Sequence, residues 1–232
     1  MSYQLVVFDM AGTTVYDDKF VHQVLGDSLK AYHVNVSLEE INQVMGWPKP
    51  TAISKLLHMA HGRMPETSLV EQIHGEFENN MVAFYRNDIR VKEKEGASAL
   101  FAWLKKEGIR VALDTGFSRV IADTIIQRLG WDDSLIDVSV TSDEVQNGRP
   151  FPDMILKAME LTQVTDPLSV VKVGDTASDI QQGFKAGCGL VVGVTTGAYA
   201  ADELAKYRPN HLISRLSELR SLLELSEAGP RS

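Results

Sequence analysis

Four places in the chain set polar residues at the ends of short apolar runs or in tight turns. Asp9 follows Leu5-Val6-Val7-Phe8. Thr115 lies in Asp114-Thr-Gly-Phe-Ser118, Arg149 in Gly148-Arg-Pro150, and Asp175 and Asp179 in Gly174-Asp-Thr-Ala-Ser-Asp179. Each alone has a plain structural use, since Asp opens turns and caps helices and carboxylates favour helix N-termini. Together they make a phosphoryl-transfer site. Carboxylates at two or three strand ends bind Mg2+, which prefers oxygen ligands. A hydroxyl, backbone N–H groups and an arginine can hold the phosphoryl oxygens. A carboxylate nucleophile gives an aspartyl-phosphate, and the metal and arginine offset the repulsion between an anionic nucleophile and an anionic substrate.

These residues need a scaffold that brings strand ends together. The run Leu5–Phe8 suits a strand buried on both faces. From Val91 onward strands and helices alternate: helix 97–106, strand 109–113, helix 118–129, strand 136–140, helix 153–161, strand 170–173, helix 178–186, strand 190–194, an edge strand 211–213 and a last helix 216–225. That rhythm predicts an α/β fold, a doubly wound parallel sheet of Rossmann-like type, with ligands outside the carboxyl ends of its strands. About seventy residues after the first strand read as helix instead, far longer than an ordinary connection. They contain a helix through Phe20, Val21, Val24, Leu25 and Leu29, a capping box at Ser37–Glu40, and a second at Ser68–Glu71. Pro48 and Pro50 break the chain around Lys49, with Pro50 expected to open the next helix. The domain expectation is an α/β core of residues 1–16 and 90–232 with an all-helical cap over 17–89. The chain from Ser226 to Ser232 reads as a frayed tail.

The ordered set Asp9, Thr115, Arg149, Asp175 and Asp179, with a helical insertion after the first motif, resembles the haloacid-dehalogenase-like hydrolase superfamily. The resemblance implies that Asp9 is the nucleophile and a Mg2+ ligand, that the Ala11 carbonyl and Asp175 complete the protein's share of the metal site, and that Asp179 anchors it from behind. Thr115 and Arg149 would bind the phosphoryl group, and the phosphate-binding set also takes in Gly12, Thr13 and Gly116. Two departures narrow the resemblance. Phosphatases of this superfamily carry a general acid two positions after the nucleophile, where this chain has Ala11, and a lysine is usual where it has Arg149. Both departures resemble the phosphonatase (phosphonoacetaldehyde hydrolase) branch, as does Met45-Gly-Trp-Pro-Lys49, which falls where that branch presents a Schiff-base lysine. The implied activity is cleavage of the P–C bond of phosphonoacetaldehyde or a related small phosphonate. A P–C bond leaves no oxygen to protonate, and an imine on Lys49 would receive the carbon's electron pair. The branch also carries a His three residues after its lysine and a Tyr after Thr-Gly. Here these are Ala52 and Phe117, and His22 is a conceivable substitute. Two other readings stay open: a phosphate-monoester phosphatase built on Asp9, and a non-catalytic phosphate-binding protein on this fold.

The bulk composition limits partners. The 232 residues carry 23 basic and 31 acidic side chains, a net charge of −8, which argues against a general nucleic-acid face. No run approaches the roughly 18 apolar residues of a membrane span. Cys188, the single cysteine, excludes an intrachain disulfide and makes a cytoplasmic address the default. Phosphonatases are typically dimers through their caps, so the resemblance carries the expectation of a homodimer.

Overall fold

A computed structural model describes residues 3–227, with side chains described as far as Glu224. Six parallel strands form one sheet among the described residues: β1 (Leu5–Asp9), β2 (Arg110–Thr115), β3 (Val138–Thr141), β4 (Val170–Gly174), β5 (Leu190–Val194) and β6 (His211–Ile213), in the order β3-β2-β1-β4-β5-β6. β1 is central. It pairs with β2 in a register that sets Asp9 beside Asp114, and with β4 so that Phe8 lies beside Val173. Successive connections leave β1 to one side and return to the other, so the order reverses between β1 and β4. This is the switch point at which open α/β sheets bind ligands. Asp9 ends one of those strands and Asp175 follows the other.

Helices cover both faces. Leu5, Val7 and Ala112 pack with Met154, Ile155, Ala158 and Met159 of α7 (Asp153–Thr162). Val6, Phe8, Val111 and Leu113 face α5 (Ala97–Lys106) and α6 (Arg119–Leu129), through Phe101 and Ile125 among others. This second apolar layer runs on without a break into α1 (Phe20–Lys30), α2 (Leu38–Asn42), α3 (Lys49–His61) and α4 (Thr67–Asn87), by way of Met10, Val15 and Phe117. The helical segment is therefore packed onto the sheet's carboxyl edge, which the site needs. The remaining helices are α8 (Ala177–Lys185), α9 (Ala201–Ala205) and α10 (Ser217–Glu227). No helix among the described residues is long and apolar enough to cross a membrane.

Several boundaries differ from the sequence reading. Ser37 and Glu40 form the expected reciprocal box at α2. Ser68 does not cap α4, which starts a residue earlier at Thr67 after an extended Glu66. Pro50 is the second residue of α3, and Lys49 the first, because Pro48 in extended geometry already supplies the helix entry. β3 starts at Val138 rather than at residue 136, since the Ile136 N–H turns back to the Asp132 carbonyl, while the Asp137 N–H already reaches the Val111 carbonyl of β2 just ahead of the strand. The five-residue α9 carries too short a pattern to be read from sequence. Ser226 and Glu227 continue α10 rather than fraying, and the rest of the expected tail lies outside the described residues.

Candidate active site

The carboxyl ends of β1, β2 and β4 and the start of α3 line a narrow cavity of about 20 Å³. Its walls bring together Asp9, Ala11, Lys49, Thr115, Gly116, Arg149 and Asp175 from the sequence-predicted set, joined by Met45, Gly46 and Phe117. Gly12 and Thr13 do not line it. They stand behind Asp175: Thr13 Oγ1 donates to Asp175 Oδ1 at 3.1 Å, and a Cβ on Gly12 would collide with the same carboxylate. Gly12 adopts φ +93°, a left-handed conformation open to glycine. From the other side Ala198 N–H donates to Asp175 Oδ2 at 2.5 Å. Thr115 Oγ1 accepts the Phe117 N–H at 3.2 Å, which leaves its own hydrogen for another acceptor.

Below the cavity lies an ionic network. Arg149 Nη1 contacts Asp9 Oδ1 at 2.8 Å and Asp179 Oδ1 at 3.0 Å, while Nη2 contacts Asp114 Oδ1 at 2.8 Å and donates to the Asp114 carbonyl at 2.7 Å. Lys172 Nζ pairs with Asp179 Oδ1 at 3.1 Å and with Asp114. All five side chains are buried. Sequence reading assigned neither Asp114 nor Lys172. The signal was present: a lysine in the middle of Val170-Val-Lys-Val-Gly174, a strand buried on both faces, requires a buried carboxylate partner. Asp179 also closes the α8 capping box with Thr176, its Oδ2 accepting the Thr176 N–H at 3.2 Å.

The charges in this network are not balanced. Four buried carboxylates, those of Asp9, Asp114, Asp175 and Asp179, share the two cations Arg149 and Lys172, with Lys49 the third buried cation facing the same cavity. Burial pushes the Asp9 carboxyl up to about 6, with Arg149 opposing and Asp179 assisting. Burial raises Asp175 well above the ordinary carboxylate range, and the Asp9 and Asp179 charges add to it. Asp179 goes the other way, because Arg149 and Lys172 together overcome the cost of its burial. Asp9, Asp114 and Asp179 bring oxygens within 4.8 Å of one another, but Arg149 and Lys172 already fill that space with positive charge. Asp175 has no ion-pair partner among the described residues, and Asp9 meets Arg149 through Oδ1 alone, so these two form the donor set that suits a hard divalent cation.

Lys49 completes the cavity from the helical segment. It is 3% exposed. Its Nζ donates to the Trp47 carbonyl at 3.3 Å and lies 5.2 Å from the Phe117 ring centroid and 5.9 Å from that of Phe77. Burial brings the amine down to about 8, helped by Arg149 and resisted by Asp9 and Asp17. Tyr85 stands edge-on to Phe117, centroids 6.1 Å apart, and its buried hydroxyl has no partner among the described residues. Ala52 is fully buried one turn into α3. His22 does not line the cavity; its Nε2 faces Asn42 Oδ1 at 3.1 Å, and burial lowers its pKa.

A family model described as haloacid dehalogenase-like hydrolase matches residues 3–187. A phosphonoacetaldehyde hydrolase of Bacillus anthracis is 28% identical over 95% of this chain and 88% of its own length. The enzyme of the same name from a strain of Bacillus cereus is 32% identical over 85% of this chain and 78% of its own. Among solved structures, a phosphonoacetaldehyde hydrolase-like protein from Oleispira antarctica superposes with a TM-score of 0.81 at 21% identity, covering 97% of this chain and 92% of that one.

Proposed function

The chain belongs to the haloacid dehalogenase-like hydrolase family, in its phosphonatase-like branch, and from that premise we propose that it cleaves the P–C bond of phosphonoacetaldehyde or a closely related small phosphonate. The supporting observation is the meeting of Lys49 and Asp9 in one buried cavity whose third feature, Ala11, offers no acid. We read residues 17–89 as a cap that carries the lysine and the remainder as the core that carries the carboxylates.

Asp9 with Asp175, and the Ala11 carbonyl beside them, would hold Mg2+, whose charge would offset the surplus of buried carboxylates. Bound there, the ion screens the phosphoryl oxygens from the carboxylates. The residues do the rest. Neutral Lys49 adds to the aldehyde carbon, and the adduct takes up one proton from solvent and loses water to give a protonated imine. Arg149 steadies Asp9 through Oδ1, and the carboxylate attacks phosphorus while Arg149, Thr115 and the backbone at Gly116 face the phosphoryl group. The P–C electron pair moves into the imine, which becomes a neutral enamine. Water cleaves the resulting aspartyl-phosphate to inorganic phosphate. Proton uptake at the enamine carbon and hydrolysis of the imine release acetaldehyde and return Lys49. A neutral lysine is required at the first step, and burial of Lys49 provides it close to physiological pH.

The test is a parallel assay of phosphonoacetaldehyde and a panel of phosphate monoesters, with the parent protein and Lys49→Arg, joined to borohydride trapping and peptide mass spectrometry. The expected result is turnover of the phosphonate, an adduct on Lys49, and loss of both in the variant. Turnover confined to phosphate esters, with no adduct, would assign the site to ordinary phosphatase chemistry.

A further inference from the structure

One loop of the helical segment, Met45 to Lys49, meets the core at three points, and each involves a glycine. Gly46, at φ +79°, rests against the hydroxyls of Thr176 and Ser178, where a Cβ would be 2.5 Å from Thr176 Oγ1. A Cβ on Gly116 would be 2.6 Å from the Trp47 carbonyl oxygen and 2.9 Å from that of Gly46. A Cβ on Gly148 would run into the ring of Pro48, closest to Cγ. Real Cβ contacts are not that short, so each glycine lets backbone or ring approach where no other residue would.

Gly148 differs from Gly46 in one respect. It is absent from the left-handed glycines of this fold, so its backbone conformation accepts an L side chain, and only Pro48 requires its bareness. A proline ring is stiff and cannot swing aside as a long side chain would. The chain neighbours of this contact are the two residues on which the chemistry depends: Arg149 follows Gly148 and holds Asp9, and Lys49 follows Pro48 and opens α3. We infer that the Pro48–Gly148 contact is the seat that fixes the lysine loop to the core, and that Gly148 is a positioning residue for Lys49. A methyl group at position 148 lifts Pro48, and with it the first turn of α3, moving the amine away from the phosphoryl site while leaving Asp9, Thr115 and Asp175 in place. The consequence for turnover rests on the reading of Lys49 given above; the seat itself does not.

The experiment measures how fast Lys49 is acylated by acetic anhydride, by peptide mass spectrometry, in the parent protein, Pro48→Ala, Gly148→Ala and the double variant. Pro48→Ala removes Cγ and the ring, so it relieves the clash that Gly148→Ala creates. Lys49 in the parent and in Pro48→Ala should react far more slowly than exposed Lys55. Gly148→Ala should speed its reaction by about tenfold or more, as overpacking of a closed contact opens it. The double variant should return to the rate of Pro48→Ala. The specificity constant for phosphonoacetaldehyde should fall about 10²-fold in Gly148→Ala, the usual cost of a displaced catalytic group, and recover in the double variant. Unchanged labelling in Gly148→Ala, failure of the double variant to recover, or parent Lys49 reacting as fast as Lys55 overturns the seat. Labelling that follows the expected pattern in a protein with no phosphonoacetaldehyde turnover would leave the seat standing and remove the proposed reaction instead.

Discussion

The Lys49 amine sits 5.2 Å from the centroid of the Phe117 ring. An aromatic face attracts a cation only modestly, about 0.5–2 kcal/mol, whereas burial penalises the ammonium more strongly, and the balance leaves the pKa at about 8. The rate of borohydride-trapped imine formation should therefore climb with pH up to about 8 and level off above it. The same depression has a stability counterpart. Between about 8 and the ordinary 10.5 the unfolded chain holds a proton on Lys49 that the folded chain has released, so this residue's contribution to stability improves as pH rises through that window. Below about 8 the penalty is present in full, of order 3 kcal/mol. Urea denaturation of the parent and Lys49→Met across pH 7 to 10.5 should show the variant the more stable at pH 7, with the gap closing toward pH 10.5.

Removing Arg149 should affect folding before it affects chemistry. Its guanidinium forks between Asp9, Asp179 and Asp114, and all three carboxylates are buried. Arg149→Met strands them beside a single remaining cation, Lys172, and should cost about 3–5 kcal/mol in urea unfolding, the usual penalty for breaking a buried ion pair from one side. Arg149→Lys keeps the charge but cannot fork. It should cost less stability while still lowering phosphoryl transfer, measured as formation of the Asp9 adduct.

How far the sequence disclosed this arrangement depends on what each residue does there. The sheet was readable because buried parallel strands give continuous apolar runs, and the helical segment because its apolar spacing changed after Asp9. Strand-end polar groups were readable for the same reason: Asp9, Thr115, Arg149 and Asp175 each stand at a turn or at the end of an apolar run. Lys172 interrupts such a run too, but its partners Asp114 and Asp179 come from other parts of the chain, so only the β1–β2–β4 alignment joins them. Lys49 stands out through the family resemblance, since a lysine between two prolines suits a plain turn, and its burial becomes visible only when α3 and α4 fold over Phe117. Gly12 and Thr13, placed with the phosphate-binding set by the resemblance, stand against Asp175, a position set by side-chain direction that no spacing rule contains. Tyr85 gave no signal beyond its place on the apolar side of α4.

Asp9 and Asp175 should report a divalent ion through stability. A carboxylate that burial and the Asp9 charge raise, as they do Asp175, is held in place at a cost, and a bound cation reverses its sign. The melting temperature of the parent should rise with Mg2+ concentration. Asp175→Asn should remove that rise and also melt higher than the metal-free parent, by about 2–4 °C for each kcal/mol of repulsion relieved. The amide can still accept from the Ala198 N–H and donate to the Thr13 hydroxyl, so the loop contacts of Asp175 persist. Differential scanning calorimetry with and without Mg2+ separates the two effects. A variant that melts lower without metal would show that Asp175 is already compensated.

Ala11 offers the sharpest chemical prediction. It lines the cavity with Asp9 and Lys49 but brings no ionisable group, so an alkoxide leaving from phosphorus would depart unprotonated. Ala11→Asp places a carboxyl two residues after Asp9, within the same turn. Raised by the neighbouring carboxylates and by burial, that carboxyl would hold a proton near neutral pH and could donate it to a leaving oxygen. Hydrolysis of small phosphate monoesters with poor leaving groups should increase, by up to about 10²–10⁴-fold where the geometry is met, and substrates with good leaving groups should gain less because they need no proton. Phosphonoacetaldehyde turnover should fall, since its leaving group carries its electron pair into the imine and the added carboxyl contributes only a further buried negative charge beside Asp9. The leaving-group dependence, plotted as rate against leaving-group pKa for both proteins, is the measurement. A parallel shift with no change of slope would show that position 11 does not reach the leaving oxygen.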